Sequence, residues 1–78
     1  MEIKHAFGLK IRELRKKKRW SLLELSVRAN INRNYLGDLE NGRRNPTIEI
    51  VNRLSKAFNM SISELTFGLE IISESENR

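Results

Sequence analysis

SLLELSVRANINRNYLGDLENG, residues 21–42, decides how the rest of the chain is read. Ser21 stands at a helix start: its hydroxyl can accept from the amide three residues on, and Glu24 can reach back to close a capping box. Leu22, Leu25 and Ala29, with Leu23 available, then recur at helical spacing, which predicts a helix over 22–29. Asn30 falls where the chain must turn, and asparagine tolerates the left-handed conformation in which helices often end. Asn32 is the next N-cap. A second helix follows over 33–40 and stops at Asn41-Gly42. Two helices joined by so short a turn form a helix-turn-helix, which sets them at roughly 90–120° to each other.

The second of these helices is more polar than packing requires. Ile31, Leu36 and Leu39 are its apolar positions; Asn32, Arg33, Asn34, Tyr35, Gly37 and Asp38 lie among them. An α-helix fits the major groove of B-DNA, and its N-terminal side chains reach the base edges. Arg33 can bond guanine O6 and N7, and Asn34 can bond adenine N6 and N7. Asp38 can accept from a cytosine amino group, or orient Arg33 or Asn34, or simply form a surface salt bridge. Tyr35 can donate to phosphate, lie against a thymine methyl, or pack on the scaffold. Gly37 removes a side chain from the same face. Asn32 serves first as the cap, with any phosphate contact additional. Ser21 and the Leu22 amide form a helix N-terminus suited to an anion. Asn41, Arg43 and Arg44 lie in the loop just beyond, placed to grip the backbone; such contacts set register without reading sequence.

Helical periodicity continues on both sides. Ile3, Phe7, Ile11 and Leu14, widened by Ala6 and Leu9, predict a first helix over 3–17. Trp20 follows it and is expected in the core. RRNPT (43–47) is a loop, because a residue before proline is disfavoured in the α region. Thr47 caps a fourth helix over 48–58, and SISE (61–64) is a second capping box that opens a fifth over 62–68. Ile62, Leu65, Phe67, Leu69, Ile71 and Ile72 together exceed what a small core needs. They are expected to supply an isologous dimer interface, with Leu65 also available to close the monomer core. The fold class is therefore all-α with five helices: a domain over 1–68, then an extension over 69–78 that joins the dimer before fraying at SESENR.

Composition narrows the function. The chain has 78 residues, no cysteine and one histidine, His5. A single small domain with a modest core is expected. Disulfides and thiolate metal sites are excluded, and no cofactor is implied. No thiol, glycine-rich phosphate loop or histidine beside an acid–nucleophile pair points to an enzyme. The chain lacks an apolar run of membrane length or an apolar block after its first lysines, so a cytoplasmic location is expected. Residues 1–60 carry a net charge of +8 and residues 61–78 a net −3; Arg15, Lys16, Lys17, Lys18 and Arg19 form one basic block. A basic body with an acidic end suits a polyanion, most simply nucleic acid.

These residues, in this order, resemble the helix-turn-helix family of the lambda-type phage repressors and Cro. Ile11, Arg15, Ser21, Glu24, Leu25, Ala29, Ile31, Leu36, Glu40, Gly42, Pro46, Thr47, Leu54, Ala57 and Leu65 carry the likeness, which runs without a gap to about residue 67. It implies the lambda-repressor-like five-helix domain and a partly buried structural ion pair between Arg15 and Glu40. Arg33, Tyr35, Arg44 and Asn45 are similar to the corresponding stretch of restriction-modification controller proteins, a likeness that implies a base contact for Arg44. Three positions depart from the family pattern. Leu22 replaces the usual glutamine that touches phosphate, Arg19 replaces a glycine at the end of the first helix, and Ser26 replaces an alanine.

The resemblance implies a transcription regulator that binds double-stranded DNA as a homodimer on a palindromic operator. Controller of a restriction-modification operon, acting on its own promoter, is the favoured subtype, with its own concentration as input and RNA polymerase as a further candidate partner. A phage-type repressor or a toxin–antitoxin regulator is the alternative within DNA binding. A protein-interaction module that kept the scaffold and lost sequence reading is the alternative of another class, and Leu22 is the feature that points to it.

Overall fold

The computed structural model describes residues 1–70. Within them α1 (Ile3–Lys17), α2 (Leu22–Ala29), α3 (Arg33–Glu40), α4 (Ile48–Ala57) and α5 (Ile62–Thr66) follow in order. The expected boundaries of the first three helices hold. The fourth ends one residue early, at Ala57, and the fifth ends at Thr66 instead of residue 68. Phe67 is extended there (φ −57°, ψ 128°) and Gly68 turns left-handed (φ 79°), so the backbone leaves the helix. Ile71, Ile72 and the tail expected to fray lie outside the described residues.

Three of the connections share one construction. Arg19, Asn30 and Asn59 are left-handed (φ 59°, 55° and 56°) and close α1, α2 and α4. The amide of the apolar residue after each bonds back over the last turn: Trp20 to Arg15 (3.1 Å), Ile31 to Ser26 (2.9 Å) and Met60 to Ser55 (2.8 Å). This is the Schellman pattern, which satisfies carbonyls that a helix end would leave bare. An N-cap comes next each time, and Ser21, Asn32 and Ser61 each accept from the amide three residues on. Asparagine suits two of these left-handed positions, while Arg19 carries a steric cost there that glycine would not.

Inside, Phe7 and Ile11 of α1, Leu25 of α2, Leu36 and Leu39 of α3, Leu54 and Phe58 around α4, and Leu65 and Leu69 form one core. Leu65 is fully buried and Leu69 is 5% exposed. Leu65 therefore closes the monomer core, one of the two roles expected of it, and Leu69 packs into the same core, where a dimer surface was expected. Trp20 lies at the core's edge. One face stacks on Phe58 (ring centroids 5.6 Å apart), and the Arg28 guanidinium covers the ring at 4.3 Å. Gly8 lets α1 meet the end of α3, because a Cβ there would collide with the carbonyl oxygens of Leu39 and Glu40.

The same junction holds the Arg15–Glu40 pair. Arg15 Nε donates to Glu40 Oε2 at 2.7 Å, and its Nη2 donates to Oε1 at 3.0 Å. Its Nη1 donates to the Trp20 carbonyl at 3.0 Å. One guanidinium thus joins α1, the turn before α2 and the end of α3. The bond to Glu40 holds Arg15 above even its ordinary high pKa, against the opposing pull of burial. Arg12 Nε approaches Glu40 Oε1 at 3.6 Å, but its side chain is 42% exposed against 14% for Arg15 and 3% for Glu40.

Two outcomes follow from this packing. Arg15→Met leaves the Glu40 carboxylate buried without its fork and is expected to cost about 3 kcal/mol in denaturant unfolding. Arg12→Met, which removes a longer contact that is not a hydrogen bond, is expected to cost less than Arg15→Met, about 1 kcal/mol. At the other end of the fold, Glu64 accepts from the Ser61 amide at 2.9 Å, which holds its carboxyl below the ordinary carboxylate range. A lowered carboxyl pKa adds stability above the unfolded pKa, and that stability is lost as pH falls through the folded value. Glu64→Gln is therefore expected to lower Tm at pH 7, with the difference from the unmodified chain vanishing once pH drops below the carboxylate range.

Candidate nucleic-acid interface

The interface is built on α2 and α3. Ser21 Oγ accepts from the Glu24 amide at 3.0 Å, so the cap of α2 forms. The expected return bond from Glu24 does not: its carboxylate takes two bonds from Arg28, at 3.2 and 2.9 Å. Leu22 turns its side chain onto the core, so only its backbone amide is available to a phosphate. Leu22 also faces α3, since a Cβ added at Gly37 would lie 3.4 Å from its Cδ2. A side chain at Gly37 would thus lie between α3 and Leu22 of α2, at van der Waals contact.

Asn32 Oδ1 accepts from the Tyr35 amide at 3.0 Å and fixes the first turn of α3. From that turn Arg33 and Asn34 project into solvent. Neither side chain has a hydrogen bond, ion pair or ring contact among the described residues. Leu36 and Leu39 anchor the opposite side of the helix. A long cation and an amide therefore stand side by side on a rigid, capped helix, with all their donors and acceptors available.

Tyr35, Asp38 and Arg44 are arranged differently. Tyr35 is half-buried and packs on the core. The Arg44 guanidinium lies 5.4 Å from its ring centroid, and Arg44 Nη2 is 3.4 Å from Asp38 Oδ2. Arg43 Nη1 is 3.8 Å from Asp38 Oδ1. The structure thus brings three of the base-reading candidates into one cluster with Arg43, and keeps Arg33 and Asn34 out of it. Asn41, the exposed C-cap of α3, and Arg43, whose side chain is 73% exposed, flank that cluster. The Lys16–Arg19 stretch is exposed throughout.

Arg53 was missed by the sequence reading. Its Nη1 donates to the Asn30 carbonyl at 2.9 Å, and its Nη2 to Glu49 at 2.8 Å. It props the turn of the helix-turn-helix from α4. The spacing of Glu49 and Arg53 on α4 hinted at the ion pair; nothing in the sequence pointed to Asn30.

On the far end of the chain, Phe67 is 79% exposed and Ile62 is half-buried against the core. Among the described residues no helix is long and apolar enough to cross a membrane, and no group of acidic or histidine side chains is arranged to hold a metal.

Comparison with known proteins agrees with this geometry. The model of the family described as "Helix-turn-helix" matches residues 11–65. The control protein C.MunI of a Mycoplasma species is 31% identical over 70 residues, which cover 88% of this chain and 95% of that protein. The HTH-type transcriptional regulator DdrOP3 of Deinococcus deserti is 32% identical over 65 residues, 83% of this chain; the chain spans half the length of that relative. The crystal structure of the restriction-modification controller protein C.AhdI from Aeromonas hydrophila superposes with a TM-score of 0.76 at 32% identity, covering 80% of this chain and 94% of that one. The chain belongs to the helix-turn-helix family, of the Cro/XRE type, and is related to the restriction-modification controller proteins.

Proposed function

We propose that the chain is a sequence-specific regulator that binds a palindromic operator as a homodimer and controls its own promoter within a restriction-modification operon. The observation that carries this reading is the pair of unpartnered side chains, Arg33 and Asn34, on the exposed first turn of a capped helix. In the major groove Arg33 takes guanine and Asn34 takes adenine. Arg44, beside Tyr35, takes a further base at the groove edge. Asp38 is the candidate acceptor for a cytosine amino group. Ser21, the Leu22 amide, Asn32, Asn41 and Arg43 bond phosphates and set the register.

One helix in the groove spans too few base pairs for specificity in a genome. A two-fold dimer reads half-sites one DNA turn, about 34 Å, apart. Exposed Phe67, with half-buried Ile62, supplies the self-complementary surface; Leu65 and Leu69 support it from within the core. The controller subtype is supported by coverage: the match runs over nearly the full length of C.MunI and C.AhdI. The match to the immunity repressor protein of Bacillus phage phi105 favours a second reading, a phage-type repressor. A neighbouring endonuclease or methyltransferase gene distinguishes the first from the second.

Selection of bound duplexes from a random pool tests the operator reading. The expected result is a palindrome with half-sites one turn apart. Arg33→Ala is then expected to lose preference at one base position per half-site, at a cost of about 1–3 kcal/mol. Arg43→Ala is expected to weaken all sequences alike and to flatten the salt dependence by about one counterion. Recovery of no enriched sequence would overturn the reading and favour an interaction module, the role that inward-turned Leu22 suggests. Phe67→Asp is expected to shift the chain toward monomer in sedimentation with its unfolding temperature nearly unchanged. An unchanged dimer fraction would remove Phe67 from the interface.

A further inference from the structure

Asp38 is an acid in the middle of a surface built to meet phosphate. The other acid of α3, Glu40, is buried and committed to Arg15. Asp38 is the acid that α3 presents outward, with its side chain 35% exposed. Its two oxygens are divided between the two loop arginines, at 3.4 Å from Arg44 and 3.8 Å from Arg43. Arg44 is further confined by the ring of Tyr35 beneath it. This arrangement has opposite effects on two kinds of DNA.

Away from an operator, binding comes from phosphates neutralised by cations. There the Asp38 carboxylate competes with phosphate for both guanidiniums and repels the backbone itself. At an operator the same contact helps. A guanidinium has five N–H donors in a fixed fork, and the Asp38 contact engages Nη2 alone. The remaining donors stay available to a guanine edge. The carboxylate and the ring also restrict the rotamers of a side chain that would otherwise lose that freedom on binding.

We propose that Asp38 is a positioning residue that sets specificity through Arg44: its carboxylate holds the guanidinium ready for a base and makes the same surface a poor ligand for random DNA. The proposal rests on the operator-reading function given above and adds a role distinct from direct readout of cytosine.

The test compares Asp38→Asn, in the full chain, with the unmodified protein. Binding is measured on the selected operator and on a mixed-sequence duplex at several salt concentrations. Arg44→Ala is measured beside it to locate the base position that Arg44 reads. Asp38→Asn is expected to bind the mixed-sequence duplex several-fold more tightly, with a salt dependence steeper by about one counterion. Operator binding is expected to stay level or weaken, so the ratio of the two falls roughly tenfold, the scale of one charge-assisted contact. Preference is expected to relax at the position that Arg44→Ala affects. Equal changes on both duplexes, or an unchanged salt dependence, would overturn the proposal. So would preference lost at a position Arg44→Ala leaves intact, since that marks Asp38 as a direct reader. If the unmodified chain enriches no site, the operator reading fails and the proposal falls with it. If it enriches a site and Asp38→Asn moves both duplexes alike, the proposal alone fails.

Discussion

The place of α3 depends on the fork between Arg15 and Glu40. Glu40 ends the helix that faces outward, and its carboxylate is almost wholly buried. A buried carboxylate is tolerable only when it is paired and hydrogen-bonded. Arg15 supplies two donors to it and a third to the Trp20 carbonyl, so one planar group determines where α1, the turn before α2 and the end of α3 meet. Gly8 makes that meeting possible by leaving room for the carbonyls of Leu39 and Glu40. A charge pair of this kind has directional geometry, which apolar packing alone lacks. The helix is thereby held in one rotation about its own axis, with Arg33 and Asn34 turned outward.

A domain of this size buries little apolar surface, and much of its order comes from its connections. Three helix ends each use one left-handed residue, a returning amide and a side-chain cap for the next helix. Each satisfies backbone groups that a short helix would otherwise expose at a cost. Arg53 adds a side-chain prop at the turn between α2 and α3. The outer edge of α3 is thus mounted on a stiff frame, and the freedom left to it is divided. Arg33 and Asn34 are free to take new partners, whereas Arg44 already has two.

The five helices, the caps of the last four and the stop at Asn41-Gly42 are legible in residues 3–66, because periodicity and capping are local properties. Ser21, Asn32, Thr47 and Ser61 announce their helices by residue type, and Asn30 announces its turn. The pairing of Arg15 with Glu40 came from family likeness, since no rule of local spacing joins residues so far apart in the chain. The reciprocal half of the first capping box was misjudged because Glu24 had a second partner in Arg28 one turn along, and a guanidinium offers it more donors than a lone amide. The burial of Leu69 is not legible in the sequence, because apolar residues near the end of the fold read alike whether they close a core or meet a partner.

What the sequence determined by itself is therefore the order and type of the helices, the helix-turn-helix within them and the polar character of the third. Hydrogen-bonding side chains at adjacent positions and apolar residues at helical spacing are sufficient for that. Only the tertiary structure decided which polar groups are free and which are spent. The grip of Asp38 on Arg44, the ring of Tyr35 beneath it, the prop from Arg53 and the burial of Leu69 all join residues across turns or between helices. Such contacts depend on how far apart two elements stand and how each is rotated, and those quantities are set by the packed core and the Arg15–Glu40 fork.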